Sequence, residues 1–152
     1  MSLEIYENNG GKVSMKDGFV QHLGDYYLHA DGGHLDIGHD VFIGKWTMIV
    51  CNEYVRIGNG AIIAEKTTLR DANHEYRGKE SWIKHQPYNS KPVIISDGCW
   101  IGCNCVINAG SIMEEGSVLA GGSVLTGKTI PAFEIWAGNP AKFLKNRFEG
   151  ID

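Results

Sequence analysis

The chain has no run of 18 apolar residues, so it contains no segment suited to crossing a membrane as a helix. Its opening, MSLEIYENNGG, lacks the basic start and apolar stretch of a secretory signal, and a cytoplasmic location is the expectation. Positive charge is also short. Fourteen lysines and arginines against 18 acidic residues leave a net charge of −4, which argues against a nucleic-acid binder. Cysteine is sparse, and Cys99, Cys103 and Cys105 do not have zinc-ribbon spacing. A disulfide framework is not expected in a cytoplasmic protein. Glycine, in contrast, is abundant: 20 in 152 residues, in a chain whose length suits one domain.

The glycines belong to a repeat. Ile95, Ile101, Ile107, Met113, Leu119 and Leu125 stand six residues apart. Neither a helix (period 3.6) nor an amphipathic strand (period 2) requires an aliphatic at every sixth position. A chain that turns a corner every six residues does, and short fixed-period units mark a solenoid. Small residues fill the fifth slot: Cys99, Cys105, Ser111, Ser117, Ser123 and Thr129. Gly, Asn and Asp recur in slots two to four, where a tight corner requires backbone tolerance of positive φ. The sixth slot is largely apolar, as suits a short strand on each flat side.

The period extends upstream through Ile37, Ile43 and Ile49, then Ile57, Ile63 and Leu69. The step from Ile49 to Ile57 is eight, a bulge around Asn52 to Tyr54. The step from Leu69 to Ile95 is 26, so about 20 residues leave the coil. The expected organisation is an irregular N-terminal cap over residues 1–34, a β-helix over 35–130 with an excursion at 71–92, and a short tail or helix over 131–152. A short prism exposes strand edges and apolar surface, which favours a homo-oligomer.

The segments Trp100-Ile101-Gly102, Val106-Ile107-Asn108-Ala109-Gly110, Leu119-Ala120-Gly121-Gly122-Ser123-Val124 and Trp136-Ala137-Gly138-Asn139-Pro140-Ala141-Lys142 carry a family resemblance. The chain resembles the hexapeptide-repeat acyltransferases, within them the galactoside, maltose and serine acetyltransferase group. The resemblance covers roughly residues 35–148. It implies an all-β, left-handed parallel β-helix, acetyl-CoA as cosubstrate, and a homotrimer with active sites between neighbouring prisms.

A long excursion from a compact fold is usually functional or disordered. This one carries Tyr76, Trp82 and Tyr88 with His74 and His85, too aromatic for a disordered linker. The resemblance implies that His74, directly after the last regular strand, is the general base. An alcohol is a poor nucleophile at neutral pH, and an imidazole can take its proton as it attacks the thioester. Asp71, Glu75 or a backbone carbonyl would orient the ring. His85 reads as structural or part of a lid.

Motif matching implies that acetyl-CoA runs along the C-terminal coils past Trp100, Cys103, Gly121, Thr126 and Gly127, with Lys142 and Lys145 near its phosphates. Trp136 departs from the family's usual small residue. Trp46 and Asn52 stand where the simple sugar acetyltransferases have other acceptor-binding residues. Trp46, Asn52 and Trp82 are therefore the expected acceptor contacts of a different pocket.

The leading expectation is O-acetylation of a saccharide, with surface-polysaccharide biosynthesis as the analogous setting. The alternative is N-acetylation of an amino sugar or a nucleotide-linked amino sugar. A γ-carbonic-anhydrase-like zinc protein would need three histidines. His34 and His39 lack a third at a matching coil position, and no metal is expected.

Overall fold

The computed structural model describes residues 3–17, 20–21, 25–79 and 82–150. The hexads form the three flat sides of a prism. Face A stacks Leu3–Asn8, Tyr26–Asp31, Met48–Cys51, Thr68–Arg70, Val106–Ile107 and Val124–Leu125. Face B stacks Lys12–Met15, His34–Ile37, Tyr54–Ile57, Val93–Ile95, Ile112–Met113 and Thr129–Ile130. Face C stacks Val20–Gln21, Phe42–Ile43, Ile62–Ile63, Trp100–Ile101, Val118–Leu119 and Glu134–Ala137. All pairings between these coils are parallel.

The repeated aliphatics become three columns inside the prism. Leu28, Ile49, Leu69, Ile107 and Leu125 line up on face A. Ile37, Ile57, Ile95, Met113 and Ile130 line up on face B. Ile43, Ile63, Ile101 and Leu119 line up on face C. All are buried, and each such side chain contributes about 1.5–3 kcal/mol of hydrophobic free energy. The small fifth-slot residues face inward beneath corner carbonyls and donate to them. Thr47 Oγ1 donates to the Ala64 carbonyl at 3.2 Å and Thr67 Oγ1 to Gly102 at 3.0 Å. Cys105 Sγ reaches the Ala120 carbonyl at 3.2 Å. A buried corner thereby satisfies its polar backbone, which explains the preference for small hydrogen-bonding side chains.

Two expectations change. Thr129 is exposed rather than inward, because its corner is one residue short. Gly127 turns it at φ 62°, the Lys128 carbonyl accepts from Ile112, and Ile130 enters the aliphatic column. Of the tail or helix expected after the last coil, the described residues form a tail of two strands. Glu134–Ala137 and Lys142–Asn146 form an antiparallel hairpin that extends face C. Trp136 pairs with Leu119 and ends that face's column, packed against the core, with its Nε1 donating to Glu134 Oε2 at 2.7 Å. It plugs the open end of the column. The first 34 residues, expected as irregular, pair in register over Leu3–Asn8, Lys12–Met15, Val20–Gln21 and Tyr26–Asp31: Leu28 sits between Ile5 and Ile49. Positions 1–2, 18–19 and 22–24 of that cap lie outside the described residues.

The AGNPAK stretch also has a local role. Gly138 donates to Ser123 Oγ at 3.0 Å, and Ala141, fully buried, donates to the Val124 carbonyl at 2.8 Å. The turn, with a cis Asn139–Pro140 bond, covers the last coil.

Candidate active site

The chain leaves the coil at the corner between faces A and B, where a buried carboxylate anchors the departure. Asp71 Oδ1 accepts the Asn52 amide at 2.8 Å, and Oδ2 accepts the Glu53 and Tyr54 amides at 2.7 and 2.9 Å. These are the amides of the eight-residue step, so the bulge in one coil holds the exit from the next. Burial, with Asp71 nearby, pushes the Cys51 thiol up to about 12.

Beyond Asp71 the arm is a ribbon. Ala72–His74 pairs antiparallel with Tyr88–Ser90, placing His74 opposite Tyr88 with ring centroids 4.5 Å apart. Glu75 braces it, accepting two hydrogen bonds from the Arg77 guanidinium at 2.9 and 2.7 Å and one from Asn89 Nδ2 at 2.9 Å. Arg77, then Asn89, hold the Glu75 carboxyl well below the usual carboxylate range. Gln86 clamps Gly78 by two amide contacts at 3.1 and 3.2 Å. His74 thus stands on a stiff support. Neither expected carboxylate orients it: Asp71 faces back to the coil, and Glu75 is engaged by Arg77 and Asn89.

His74 lines two cavities. One, of 320 Å³, lies over face A, with Tyr27, His29, Asp31, Asn52, Arg70 and Tyr88 in its wall. The other, of 490 Å³, lies along the ribbon and includes Tyr76, Asn89, Lys91 and Ala109. Of the expected acceptor contacts, Asn52 joins His74. Trp46 sits at the opposite edge of face A, lining a 280 Å³ cavity with Tyr27 and Met48. Trp82 does not join them. It is 78% exposed on the arm, its ring stacked on His85 at 5.8 Å.

The expected acetyl-CoA contacts divide between two edges. Trp100 and Gly121 share a 550 Å³ cavity on face C with Ile62, Val118, Ile135 and Arg147. Cys103 is adjacent, its carbonyl accepting from Gly122 at 2.8 Å. Thr126 and Gly127 lie instead at the corner between faces A and B, with Gly127 donating to Ser111 Oγ at 3.0 Å. Lys142 and Lys145 are exposed on the last strand. Within one chain, face A therefore separates His74 from the Trp100 cavity.

Tyr27, His29, Asp31, Arg70 and Arg147 were not singled out from the sequence. The alternation Tyr26-Tyr27-Leu28-His29-Ala30-Asp31 contained the signal for three of them: even positions point inward, odd positions outward. Arg147 carried none. Its guanidinium donates to the Gly116 carbonyl at 2.7 Å, a contact across 31 residues. His34 Nε2 lies 3.2 Å from Ser14 Oγ on face B, and His39 sits at the next corner. Among the described residues, no group of three His, Cys, Asp or Glu side chains converges as a metal site. Among the described residues, no helix is long and apolar enough to cross a membrane.

Residues 92–127 match the bacterial transferase hexapeptide (six repeats) family. Among curated protein sequences none matches. Solved structures do. The N-acyltransferase AntD from Bacillus cereus, as a point mutant with dTDP-4-amino-4,6-dideoxyglucose and coenzyme A, is 20% identical. Its TM-score is 0.79, over 95% of this chain and 77% of that one. The hexapeptide-repeat acetyltransferase VCA0836 from Vibrio cholerae, in complex with acetyl-CoA, is 27% identical with a TM-score of 0.68, over 85% and 70% of the two chains. A galactoside acetyltransferase in complex with coenzyme A is 26% identical with a TM-score of 0.72, over 88% and 64%. A three-faced solenoid with six-residue sides, interrupted by an arm, is the left-handed parallel β-helix class. The chain carries the hexapeptide repeat over residues 92–127 and shares its fold with hexapeptide-repeat acyltransferases solved with acetyl-CoA or coenzyme A bound.

Proposed function

We propose that the protein transfers an acetyl group from acetyl-CoA to a hydroxyl of a saccharide, with His74 as general base. The observation that carries this reading is a braced histidine whose ring lines a cavity walled by tyrosines and polar side chains. Such a mixture suits a sugar, with apolar faces and a rim of hydroxyls. The imidazole takes the acceptor proton as the oxygen attacks the thioester carbonyl. The tetrahedral adduct collapses, the C–S bond breaks, and the departing thiolate takes the proton from the imidazolium. Direct transfer needs no protein nucleophile. Burial raises the pKa of the Cys51, Cys99 and Cys105 thiols, which makes them unsuited to that task.

For the cosubstrate, the face C cavity offers an apolar wall around Trp100 and a corner at Gly121 that has no side chain. The separation of that cavity from His74 supports a homotrimer in which one chain supplies the base and its neighbour the pantetheine groove. The primary test is thiol release from acetyl-CoA over a panel of sugars, amino sugars and nucleotide sugars. Release with none of them overturns the reading. For the shared site, His74→Ala and Trp100→Ala proteins, each impaired, are mixed by unfolding and refolding together. Recovery of activity above either parent is the expected outcome. No recovery in mixed trimers would place both groups in one chain.

A further inference from the structure

Trp46 occupies the fourth slot of its hexad, where every six-residue corner turns through the left-handed region. In other coils that slot holds Gly60, Gly98, Gly110, Gly116 and Gly122, Asn104 at φ 55°, Asp40 at φ 58° or Lys66 at φ 59°. Here a tryptophan adopts φ 57°. A bulky side chain in that region costs stability, and such strain clusters at ligand sites. Its indole is 59% exposed, with the Lys45 and Lys66 ammonium groups 5.8 and 5.4 Å from the ring centroid. The fold presents an aromatic platform with two cations beside it.

The platform connects to the His74 cavity. Tyr27 and Met48 line both the Trp46 cavity and the His74 cavity, so the two meet across face A. Midway, Arg70 lines the His74 cavity, and its guanidinium has a hydrogen-bond contact only with Met48 Sδ, at 3.7 Å, among the described residues. A ligand along this groove would meet an indole flanked by ammonium groups, then a guanidinium, then a base. The span is about 15–20 Å at strand spacing. Resting on the acetyltransferase reading above, we infer that the acceptor is a nucleotide-linked sugar. Its base stacks on Trp46, its diphosphate lies toward Lys45, Lys66 and Arg70, and its sugar reaches His74. Cys103 and Gly121, expected along the acetyl-CoA path, lie two and three coils away from Trp46 on the same edge, roughly 10–15 Å at inter-strand spacing. The platform is therefore separate from that part of the path.

The test is calorimetric titration with nucleoside diphosphates (UDP, dTDP, GDP) on wild type and on Trp46→Asn. Asparagine is accepted in the left-handed slot, as Asn104 shows, so the variant keeps the fold. Expected is binding of at least one diphosphate, weakened about tenfold or more by Trp46→Asn and largely kept by Trp46→Phe. The affinity for acetyl-CoA stays unchanged. No diphosphate binding, equal binding to wild type and Trp46→Asn, or displacement of the diphosphate by coenzyme A overturns the inference. Thiol release on free sugars with no diphosphate binding sinks the nucleotide and leaves the acetyltransferase standing. Diphosphate binding without any thiol release does the reverse.

Discussion

His74→Ala lowers acetyl transfer by about 10²–10⁴-fold, the range of one positioned general base. The affinity for acetyl-CoA, the solution molecular mass and the melting temperature stay at wild-type values. The side chain is exposed at the end of a three-residue strand, so its removal leaves no cavity in the core. The ribbon beneath it is held by backbone pairing and by the Glu75–Arg77–Asn89 cluster, none of which needs the imidazole. Single-turnover thiol release separates the proton-transfer defect from binding, because a lost base lowers the rate at saturating acetyl-CoA. More than a few per cent of residual turnover would remove His74 from the catalytic role. His74→Gln gives a similar loss, since an amide accepts a hydrogen bond but does not take up a proton at neutral pH.

Asp71→Ala destabilises the fold by about 3 kcal/mol or more, because three amides lose a charged acceptor and leaving a buried donor unpaired costs ~1–3 kcal/mol each before water enters. For a domain of this size that is a fall in melting temperature of about 6–12 °C. Asp71→Asn loses less, since one carbonyl oxygen remains where the carboxylate offered two. The loss extends to activity as well: the exit from the coil is anchored through Asp71, and a looser exit lets His74 drift. Thermal unfolding read beside thiol release tests both parts. A melting temperature within a degree of wild type in Asp71→Ala would show that the bulge amides find other partners.

The two residues differ in how far they could be read from the chain. His74 follows the last regular aliphatic before a 26-residue gap, so its exit position is a matter of counting. Asp71 is three residues nearer and looks equally available to orient the ring. Only the packed coil shows its carboxylate turned back toward residues 52–54, where an eight-residue step left three amides in need of an acceptor.

The same division runs through the molecule. Each hexad makes its corner from its own residues: an inward aliphatic, a left-handed fourth slot and a small fifth. Because the requirement is local and repeats, it is written in the order of the amino acids, and the prism and its interior columns follow. The last corner escapes because Gly127 turns it one residue early, and the five-residue step to Ile130 still places an aliphatic inside. The site is not local. Asp31 and Arg70 converge near His74 only because stacking lays strands from different coils side by side on one face, and Tyr88 joins them through the ribbon of the arm. Trp136 becomes a plug, and His74 is separated from the Trp100 cavity, for the same reason. Periodicity specified the scaffold within each turn, and register between turns, set by a bulge and an excursion, decided which side chains meet.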